Sequence, residues 1–208
     1  MPHEELLSLF APFGITEDDK RDVAQRAIVK TFAAQTLLNN SEDCLGFVLI
    51  LQGSIRAYII GENGKEITLF CLKSGDSCVV CPHCTLQSIE HNILLETNSK
   101  SKILIVPAKL FATLKEKYPK LADFTLTLLS KRISQTITTL EQALFKPLVE
   151  RIRDFLRKNE HNGEVQMSHE SIANHLGSAR EVVSRILKEM ENRGEVQLGR
   201  KRIVLLRI

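Results

Sequence analysis

Three of the chain's five cysteines lie within residues 78–84, in the pattern Cys-x-x-Cys-x-x-Cys with a histidine inside it. This spacing lets the thiolates converge on one centre, and a fourth ligand could come from Cys44 or Cys71. Because the number of cysteines is odd, complete pairing within the chain is excluded. Four chemistries stay open: a thiol/disulfide switch, an iron–sulfur or other metal site, haem bound through the histidine or a cysteine, and buried inert thiols. The candidate sensor residues are Cys44, Cys78, Cys81, Cys84 and His83.

A second pattern, between residues 168 and 190, is typical of two short helices joined by a tight turn. Ser168 can cap the first helix, and Ser178 can cap the second. A helix-turn-helix needs a small residue where the helices approach, a residue that accepts positive φ four positions later, and an apolar residue six positions further on. Ala173, Gly177 and Val183 meet these three requirements.

The second helix of this pattern has a polar face that could read DNA. Arginine can bond guanine through two hydrogen bonds, and glutamate can accept one from the amino group of cytosine. The segments EVQL, GRK and RIVLL that follow predict a two-stranded wing whose basic tip would contact phosphates. The alternative is a solvated helix face on which Glu181 and Arg185 form an ion pair one turn apart. The predicted base-reading residues are Arg180, Glu181, Ser184 and Arg185, with Ser178 at the helix start, and the predicted phosphate contacts are Lys188, Arg200, Lys201 and Arg202.

The charge distribution agrees with a nucleic-acid-binding module in the last third of the chain. Residues 146–208 contain 13 Lys and Arg against 9 Asp and Glu, whereas residues 1–145 contain 15 against 16. The composition, 43% hydrophobic and 25% charged, excludes a disordered or fibrous protein. No apolar run approaches the roughly 20 residues that span a bilayer, and the start lacks the layout of a secretory signal. We therefore expect a soluble, cytoplasmic protein with no membrane partner.

The remaining segments predict the elements that position these residues. Residues 3–10 and 16–30 have helical spacing, with Thr16 as an N-cap. From Thr36 to about Val106, short runs rich in Val, Ile, Leu and Thr predict a β-rich domain with a hairpin turn at residues 61–64. The isolated histidines are expected at the surface or in helix caps; they are His3, His91, His161, His169 and His175.

Residues 119–145 predict one long helix with an apolar seam that repeats over about three heptads. The seam could pack on the chain's own β domain or form a parallel dimer. We favour the dimer, because a helix of this length presents more apolar surface than one small domain covers. The predicted interface residues are Leu126, Ile133, Ile137, Leu140 and Leu144. The predicted domains are residues 1–118, the helix 119–145, and residues 146–208.

The segment GFVLILQGSIRAYIIGENGKEITLFCLKSGD, the long seam helix and the segment SIANHLGSAREVVSRILKEMENRGEV together resemble one family. It is the superfamily of bacterial transcription factors that contains the cyclic-AMP receptor and the fumarate-nitrate regulator (Crp/Fnr). The resemblance covers nearly the whole chain and implies an α+β fold. Its parts would be an N-terminal β-roll (a cupin-like double-stranded β-helix), a long dimerisation helix and a C-terminal winged helix-turn-helix.

The resemblance also implies a function and partners. It implies a homodimer that binds a palindromic promoter site in double-stranded DNA, contacts RNA polymerase, and reorients its DNA-binding domains when the β-roll senses a redox, metal or small-molecule signal. Glu181, Ser184 and Arg185 match the Glu-x-x-Ser-Arg pattern of the fumarate-nitrate branch, which implies half-sites similar to TTGA. Arg180 immediately before Glu181 is more similar to the cyclic-AMP receptor branch.

The resemblance bears on the ligand as well. Members that bind cyclic nucleotides carry a Gly-Glu pair for the ribose and an Arg followed by Ser or Thr for the cyclic phosphate. The matching stretch here, residues 76–96, contains no Gly and no Arg, which implies that cyclic-AMP binding is lost. A subgroup that the chain resembles keeps cysteines matching Cys44, Cys78 and Cys84. The iron–sulfur cysteines of the fumarate-nitrate branch lie largely in an N-terminal segment. An iron–sulfur cluster and haem both remain candidate cofactors for this chain.

An enzyme is not expected from the sequence. It shows no nucleophile, base and orienting group in a recognisable set, and no Gly-rich phosphate loop. The alternative to a transcription regulator is a cysteine-based redox or metal-binding protein with no promoter-specific function.

Overall fold

The structure is a computed structural model that describes residues 2–38, 46–79 and 93–207. The described residues form two compact units, with boundaries after residues 57, 69 and 135. The first unit combines the residues up to 57 with residues 70–135, and the second combines residues 58–69 with those from 136 onward. Each unit has a hydrophobic core.

The described part of the chain before residue 107 contains seven strands, which confirms the predicted β-rich domain. They form a four-stranded sheet in the order β1-β7-β2-β5 and a three-stranded sheet in the order β4-β3-β6. Strand β7 pairs antiparallel with β1 and β2, and β2 pairs antiparallel with β5. The strands are β1 (Ile28–Phe32), β2 (Phe47–Gln52), β3 (Ser54–Ile60), β4 (Glu66–Lys73), β5 (Ser77–Cys78), β6 (Leu94–Thr97) and β7 (Ser101–Val106).

The hairpin turn predicted at residues 61–64 is confirmed between β3 and β4. The backbone N–H of Gly64 donates to the carbonyl of Gly61 at 2.9 Å, and the N–H of Gly61 donates to the carbonyl of Lys65 at 2.8 Å. Gly64 has φ +74°, a conformation that glycine adopts without steric cost.

Two helices precede the sheets: α1 (Pro2–Phe10) and, after a short 3-10 turn, α2 (Glu17–Arg26). The predicted N-cap of α2 is confirmed, because the Thr16 hydroxyl accepts a hydrogen bond from the N–H of Asp19 at 3.4 Å. The predicted extent of this helix, to residue 30, is wrong. Ala27 is extended, and the β-branched run that follows forms β1 and pairs with β7.

The core of the first unit joins these helices to the four-stranded sheet. Phe10 of α1 packs edge-on against Phe47 of β2 at 5.5 Å between ring centroids, and Phe47 stacks on Phe111 at 5.1 Å. Phe111 belongs to helix α3 (Ala108–Lys117), which follows β7. All three rings are almost completely buried, so they hold both helices to the sheet.

The predicted long helix is present as α4 (Pro119–Phe145). Its inward face in the first unit consists of Leu121, Thr125, Leu128 and Arg132, all buried. The Arg132 guanidinium donates to the Ser77 carbonyl at 2.9 Å and lies over the Phe70 ring at 5.3 Å. These contacts hold the first-unit part of α4 in place.

The second unit contains a three-stranded sheet in the order β8-β10-β9 and three helices after α4. These elements are α5 (Leu148–Asn159), β8 (Glu164–Val165), α6 (His169–Leu176), α7 (Arg180–Asn192), β9 (Val196–Gly199) and β10 (Arg202–Leu205). Strand β10 pairs antiparallel with both neighbours, so the predicted two-stranded wing has a third strand. The core residues of this unit are Ile152, Leu156, Val165, Ile172, Ala173, Val183, Leu187, Met190, Val196 and Ile203.

Gly53, between β2 and β3, gives a stability test of a close backbone approach. Its φ is +88°, and a Cβ there would lie 2.6 Å from the Lys100 carbonyl oxygen. Gly75 has φ +86°, and nothing lies within 4 Å of the corresponding Cβ position. We expect Gly53→Ala to lower the free energy of unfolding by about 2 kcal/mol more than Gly75→Ala, because only the former adds a clash to the strained backbone.

Urea denaturation followed by far-ultraviolet circular dichroism measures this difference. Gly75→Ala serves as the matched control, since it carries the same left-handed penalty. Equal losses of stability in the two variants would contradict the close approach at Gly53.

Candidate nucleic-acid interface

The two helices α6 and α7 are joined by a turn of three residues. Ser168 caps α6, and its hydroxyl accepts from the N–H of Ser171 at 3.1 Å. The C-cap of α6 is Gly177, which has φ +67° and ψ +34°. This left-handed residue reverses the chain direction so that α7 starts at Arg180.

The three positions predicted for a helix-turn-helix lie where the pattern requires. Ala173 and Val183 are buried at 1% and 0% exposure, in one core between α6 and α7. The carbonyl of Ala173 accepts from the N–H of Ser178 at 3.0 Å and also from the N–H of Gly177. The small side chain at Ala173 therefore lets the helices approach, and Gly177 supplies the turn.

The predicted capping role of Ser178 is wrong. The N-cap of α7 is Ala179, which has an extended backbone and makes no side-chain capping bond. The reason is the length of the turn, because it takes up Gly177, Ser178 and Ala179 and the cap position therefore falls on Ala179. Ser178 therefore belongs to the turn and lies half-buried one residue before the cap.

The polar face of α7 is presented as the sequence predicts. At about 100° per residue, the five polar positions from Arg180 to Lys188 project within an arc of about 140°. The buried Val183, Leu187 and Met190 project within a separate arc of about 60°. Glu181 and Arg185 form no ion pair with each other in the part of the chain that the structure describes, so the alternative of a salt-bridged face is not supported. The exposed side chains are Arg180, Glu181, Arg185 and Lys188, and Ser184 is half-buried among them.

The cations of this surface divide into paired and unpaired groups. Lys188 forms an ion pair with Glu191 at 2.6 Å, and Arg202 forms one with Glu164 at 2.5 Å. Among the described residues, the other predicted contacts make no ion pair; they are Arg180, Arg185, Arg200 and Lys201. Four exposed positive side chains are thus available to an anionic partner without breaking a bond within the protein.

The wing tip lies between β9 and β10. Gly199 pairs with Arg202, so Arg200 and Lys201 form the two-residue loop, and both are exposed. Lys201 has φ +56°, a left-handed conformation that residues other than glycine adopt at a small fraction of positions. The carboxylate of Glu191 on α7 accepts from the N–H of Leu198 in β9 at 2.8 Å, which fixes the wing to the helix.

Helix α5 holds the helix-turn-helix from behind. Arg153 donates twice to the Glu195 carboxylate, at 2.9 Å from both Nε and Nη2, immediately before β9. The Arg151 guanidinium donates to the carbonyl of Leu176 at 2.6 Å, at the end of α6. These bonds connect α5 to the end of α6 and to the residue before β9.

Two histidines that the sequence placed at the surface or in caps make internal contacts. His169, the first residue of α6, has Nδ1 at 2.9 Å from the hydroxyl oxygen of Ser184 on α7. His175 has Nδ1 at 2.8 Å from the hydroxyl oxygen of Thr68, in β4. Burial lowers the pKa of His169, and the positive charge of Arg180 lowers it further.

Strand β4 of the β3–β4 hairpin contacts the turn of the helix-turn-helix within the second unit. Ile67 bridges to Leu176, and its side chain lies 3.2 Å from where a Cβ on Gly177 would be. The sequence carried no signal for this contact, because a pairing across more than 100 residues leaves no local pattern.

Comparison with known proteins identifies the family. Residues 148–208 match the Crp-like helix-turn-helix domain. The chain is similar to the crystal structure of a Crp/Fnr transcriptional regulator from Eubacterium rectale, with 31% identity, a TM-score of 0.87, and coverage of 92% of this chain and 91% of that one. The chain belongs to the Crp/Fnr family of transcriptional regulators.

Other Crp/Fnr relatives agree with this assignment. The global nitrogen regulator of Synechococcus elongatus is 24% identical over 167 residues, which are 76% of this chain and 75% of that protein. The c-di-GMP-responsive global regulator CLP of Xanthomonas campestris is 17% identical, with a TM-score of 0.76 and coverage of 92% and 99%. The relatives are transcriptional regulators and not enzymes, and they confirm the predicted fold class: a β-roll, a long helix and a winged helix-turn-helix.

The predicted dimer residues of the Crp/Fnr chain lie on the solvent face of α4. The alternative that this seam packs on the chain's own β domain is not supported, because all five side chains are more than half exposed and the buried residues of α4 are different ones. The exposed fractions are 61% for Leu126, 57% for Ile133, 51% for Ile137, 56% for Leu140 and 65% for Leu144.

Most of the predicted sensor residues lie outside the described residues; these are Cys44, Cys81, Cys84 and His83. Cys78, in β5, is 1% exposed and pairs with Val48 of β2. Burial raises the pKa of the Cys78 thiol to about 11, although the Arg132 guanidinium acts in the opposite direction. In the described ranges, no group of three His, Cys, Asp or Glu side chains could hold a metal ion, and no helix is long and apolar enough to cross a membrane.

Because the Cys78 thiol is buried and protonated, we predict that it reacts slowly with an alkylating reagent. At pH 8 its thiolate fraction is small, so we expect alkylation by iodoacetamide to be on the order of 100-fold slower in the native protein than in the denatured chain. Peptide mass spectrometry follows each cysteine separately. The half-buried Cys71 is the internal comparison, and equal native rates at Cys71 and Cys78 would contradict the buried, protonated thiol.

Proposed function

We propose that this Crp/Fnr regulator is a homodimer that reads a palindromic promoter site with α7 and whose β-roll senses a redox, metal or small-molecule signal. The observation that supports the reading surface most strongly is the set of exposed cations without internal partners on α7 and the wing tip. A surface that keeps its cations unpaired suits an anionic polymer, because binding then releases counterions and breaks no ion pair.

The polar face of α7 has the chemistry to distinguish base pairs in the major groove. Arg185 and Arg180 can each donate two hydrogen bonds to a guanine, and Glu181 can accept from a cytosine amino group. Ser184 lies between them on the same face. By family resemblance, Glu181, Ser184 and Arg185 read half-sites similar to TTGA. Arg200 and Lys201 of the wing contact phosphates, as does Lys188 if its ion pair with Glu191 opens.

The apolar seam of α4 is the surface proposed for a second copy of the chain. Five Leu and Ile side chains, each more than half exposed, follow one another along a single helix face, and Phe145 at its end is 82% exposed. Fully burying one such side chain contributes about 1.5–3 kcal/mol. A parallel pair of α4 helices buries the seam of both copies and relates the two reading helices by a twofold axis, as a palindromic site requires.

Regulation follows from the same geometry. Both reading helices must enter successive major grooves about 34 Å apart on one face of the DNA. A ligand or redox change at residues 78–84 would shift the pairing of the seam between protomers, and so change DNA affinity without new base contacts. The candidate chemistries of the sensed signal are an iron–sulfur cluster, haem and a disulfide, and cyclic AMP is not the expected ligand. RNA polymerase is the further partner that the family resemblance implies.

Removing Arg185 tests the reading of bases. A half-site is first selected from randomised duplexes with the unaltered protein, and binding is then measured by fluorescence anisotropy. We expect Arg185→Ala to lower affinity for the selected site by about 10- to 100-fold, the worth of one bidentate arginine–guanine pair. Affinity for scrambled DNA should change little.

The matched control is Arg193→Ala, which removes the same charge from an exposed position after the last turn of α7. Equal effects of the two substitutions on the selected site would refute base reading by Arg185. A protein that selects no site at all would favour the alternative, a cysteine-based redox or metal-binding protein.

Adding a charge to the seam tests the dimer. Ile133→Glu places a carboxylate in the proposed interface, where burying it without a partner is costly, so we expect a monomer by light scattering and weak binding to a palindromic site. Because Ile133 is exposed in one copy, the folded protomer should be unaffected. Gln142→Glu, on the opposite side of α4, is the control and should remain dimeric. If Ile133→Glu is as dimeric as the control, the seam is not the interface.

A further inference from the structure

The contact between His169 and Ser184 joins the reading surface to a group that can change its protonation. His169 is the first residue of α6 and is half-buried, and its Nδ1 lies 2.9 Å from the hydroxyl oxygen of Ser184. Ser184 lies in the second turn of α7, on the face that carries Arg180, Glu181 and Arg185. His169 therefore touches a base-reading side chain without itself lying on α7.

A serine hydroxyl can donate one hydrogen bond and accept others, and its partner decides which role is left for DNA. If the imidazole is neutral with its proton on Nε2, Nδ1 accepts the hydroxyl proton of Ser184. The serine oxygen then offers only lone pairs to a base. If the imidazole is protonated, both ring nitrogens are donors, so Nδ1–H donates to the oxygen of Ser184 and the hydroxyl proton is released for a base acceptor.

The two states suit different bases. A serine that presents lone pairs matches the amino groups of adenine and cytosine, whereas one that presents a proton matches N7 and O6 of guanine or O4 of thymine. The preference at one base pair of the half-site would thus depend on the charge of a residue that does not contact it.

We propose that His169 is a positioning residue that determines whether Ser184 presents an acceptor or a donor to DNA, and so sets the base preference at that position according to its own protonation. The inference rests on the proposed function, in which α7 reads the major groove. It adds a specificity-determining residue outside the reading helix.

The surroundings of His169 favour the neutral state in the free protein. Burial and the positive charge of Arg180, at the start of α7, both lower its pKa. Glu170, the next residue of α6, is exposed. Near pH 7.5 the ring is therefore neutral, and Ser184 presents its lone pairs. Acidification, or the negative potential of bound DNA, shifts the ring towards the protonated state.

The experiment compares two duplexes that differ only at the base pair whose preference is lost in Ser184→Ala. The ratio of their affinities is measured between pH 5.5 and 7.5 by fluorescence anisotropy at constant salt. A ratio cancels the general gain in affinity that any added positive charge gives. For the unaltered protein we expect the ratio to change by about fivefold over this range, the effect of one hydrogen bond.

His169→Asn keeps a polar atom near the position of Nδ1 but does not titrate, so its ratio should be independent of pH. His161→Asn changes an exposed histidine in the same unit and should retain the full pH dependence. A pH-independent ratio in the unaltered protein, or an undiminished pH dependence in His169→Asn, would overturn the proposal.

A second measurement needs no DNA. Nitrogen NMR of the ring in the free protein identifies the tautomer, and we expect the proton on Nε2 and a shift of the Nδ1 signal in Ser184→Ala. A proton on Nδ1 in the neutral ring would also overturn the proposal. If the protein selects a site but the ratio does not follow pH, only the role of His169 fails, whereas loss of selectivity at every pH means that the proposed function fails with it.

Discussion

The reading surface depends on one backbone constraint, the left-handed conformation at Gly177. It lets α6 end and α7 begin within three residues, and it brings the N–H groups of Gly177 and Ser178 to a single carbonyl, that of Ala173. The small side chain at Ala173 then permits the close approach of the two helices. Only with this geometry can the first turn of α6 reach the second turn of α7, where His169 meets Ser184. A side chain at position 177 would be strained and would press on Ile67.

The distribution of ion pairs separates two tasks in the same small domain. Charges that hold elements together are paired: Arg153 with Glu195 joins α5 to the chain before β9, and Arg202 with Glu164 joins two strands. Among the described residues, four outward-facing cations form no ion pair: Arg180 and Arg185 of α7, and Arg200 and Lys201 of the wing tip. Since exposed ion pairs contribute little to stability, leaving these cations unpaired costs the fold little and preserves them for a ligand.

Sequence patterns predicted what is local and missed what is not. The positions Ala173, Gly177 and Val183, and the seam of α4, follow from helical periodicity and from the conformational freedom of glycine, which neighbouring residues determine. The predicted cap of α7 was one residue too early, because the exact length of the turn, three residues, is not recorded in the local sequence pattern. The contacts of His169 and His175 join residues far apart in sequence or on different helices, so no local pattern records them.

The contact of the β3–β4 hairpin with the turn after α6 has a consequence for the order in which the chain folds. During translation Ile67 and Thr68 leave the ribosome more than 100 residues before His175 and Leu176, with which they pack. The hairpin forms from neighbouring residues and can close early. The carboxy-terminal part of the second unit, residues 136–207, can fold only after its last strands have been synthesised. The core of the carboxy-terminal part, residues 152–203, contains no hairpin residue, so that core can form by itself and the contacts of Ile67 and Thr68 are then added to it.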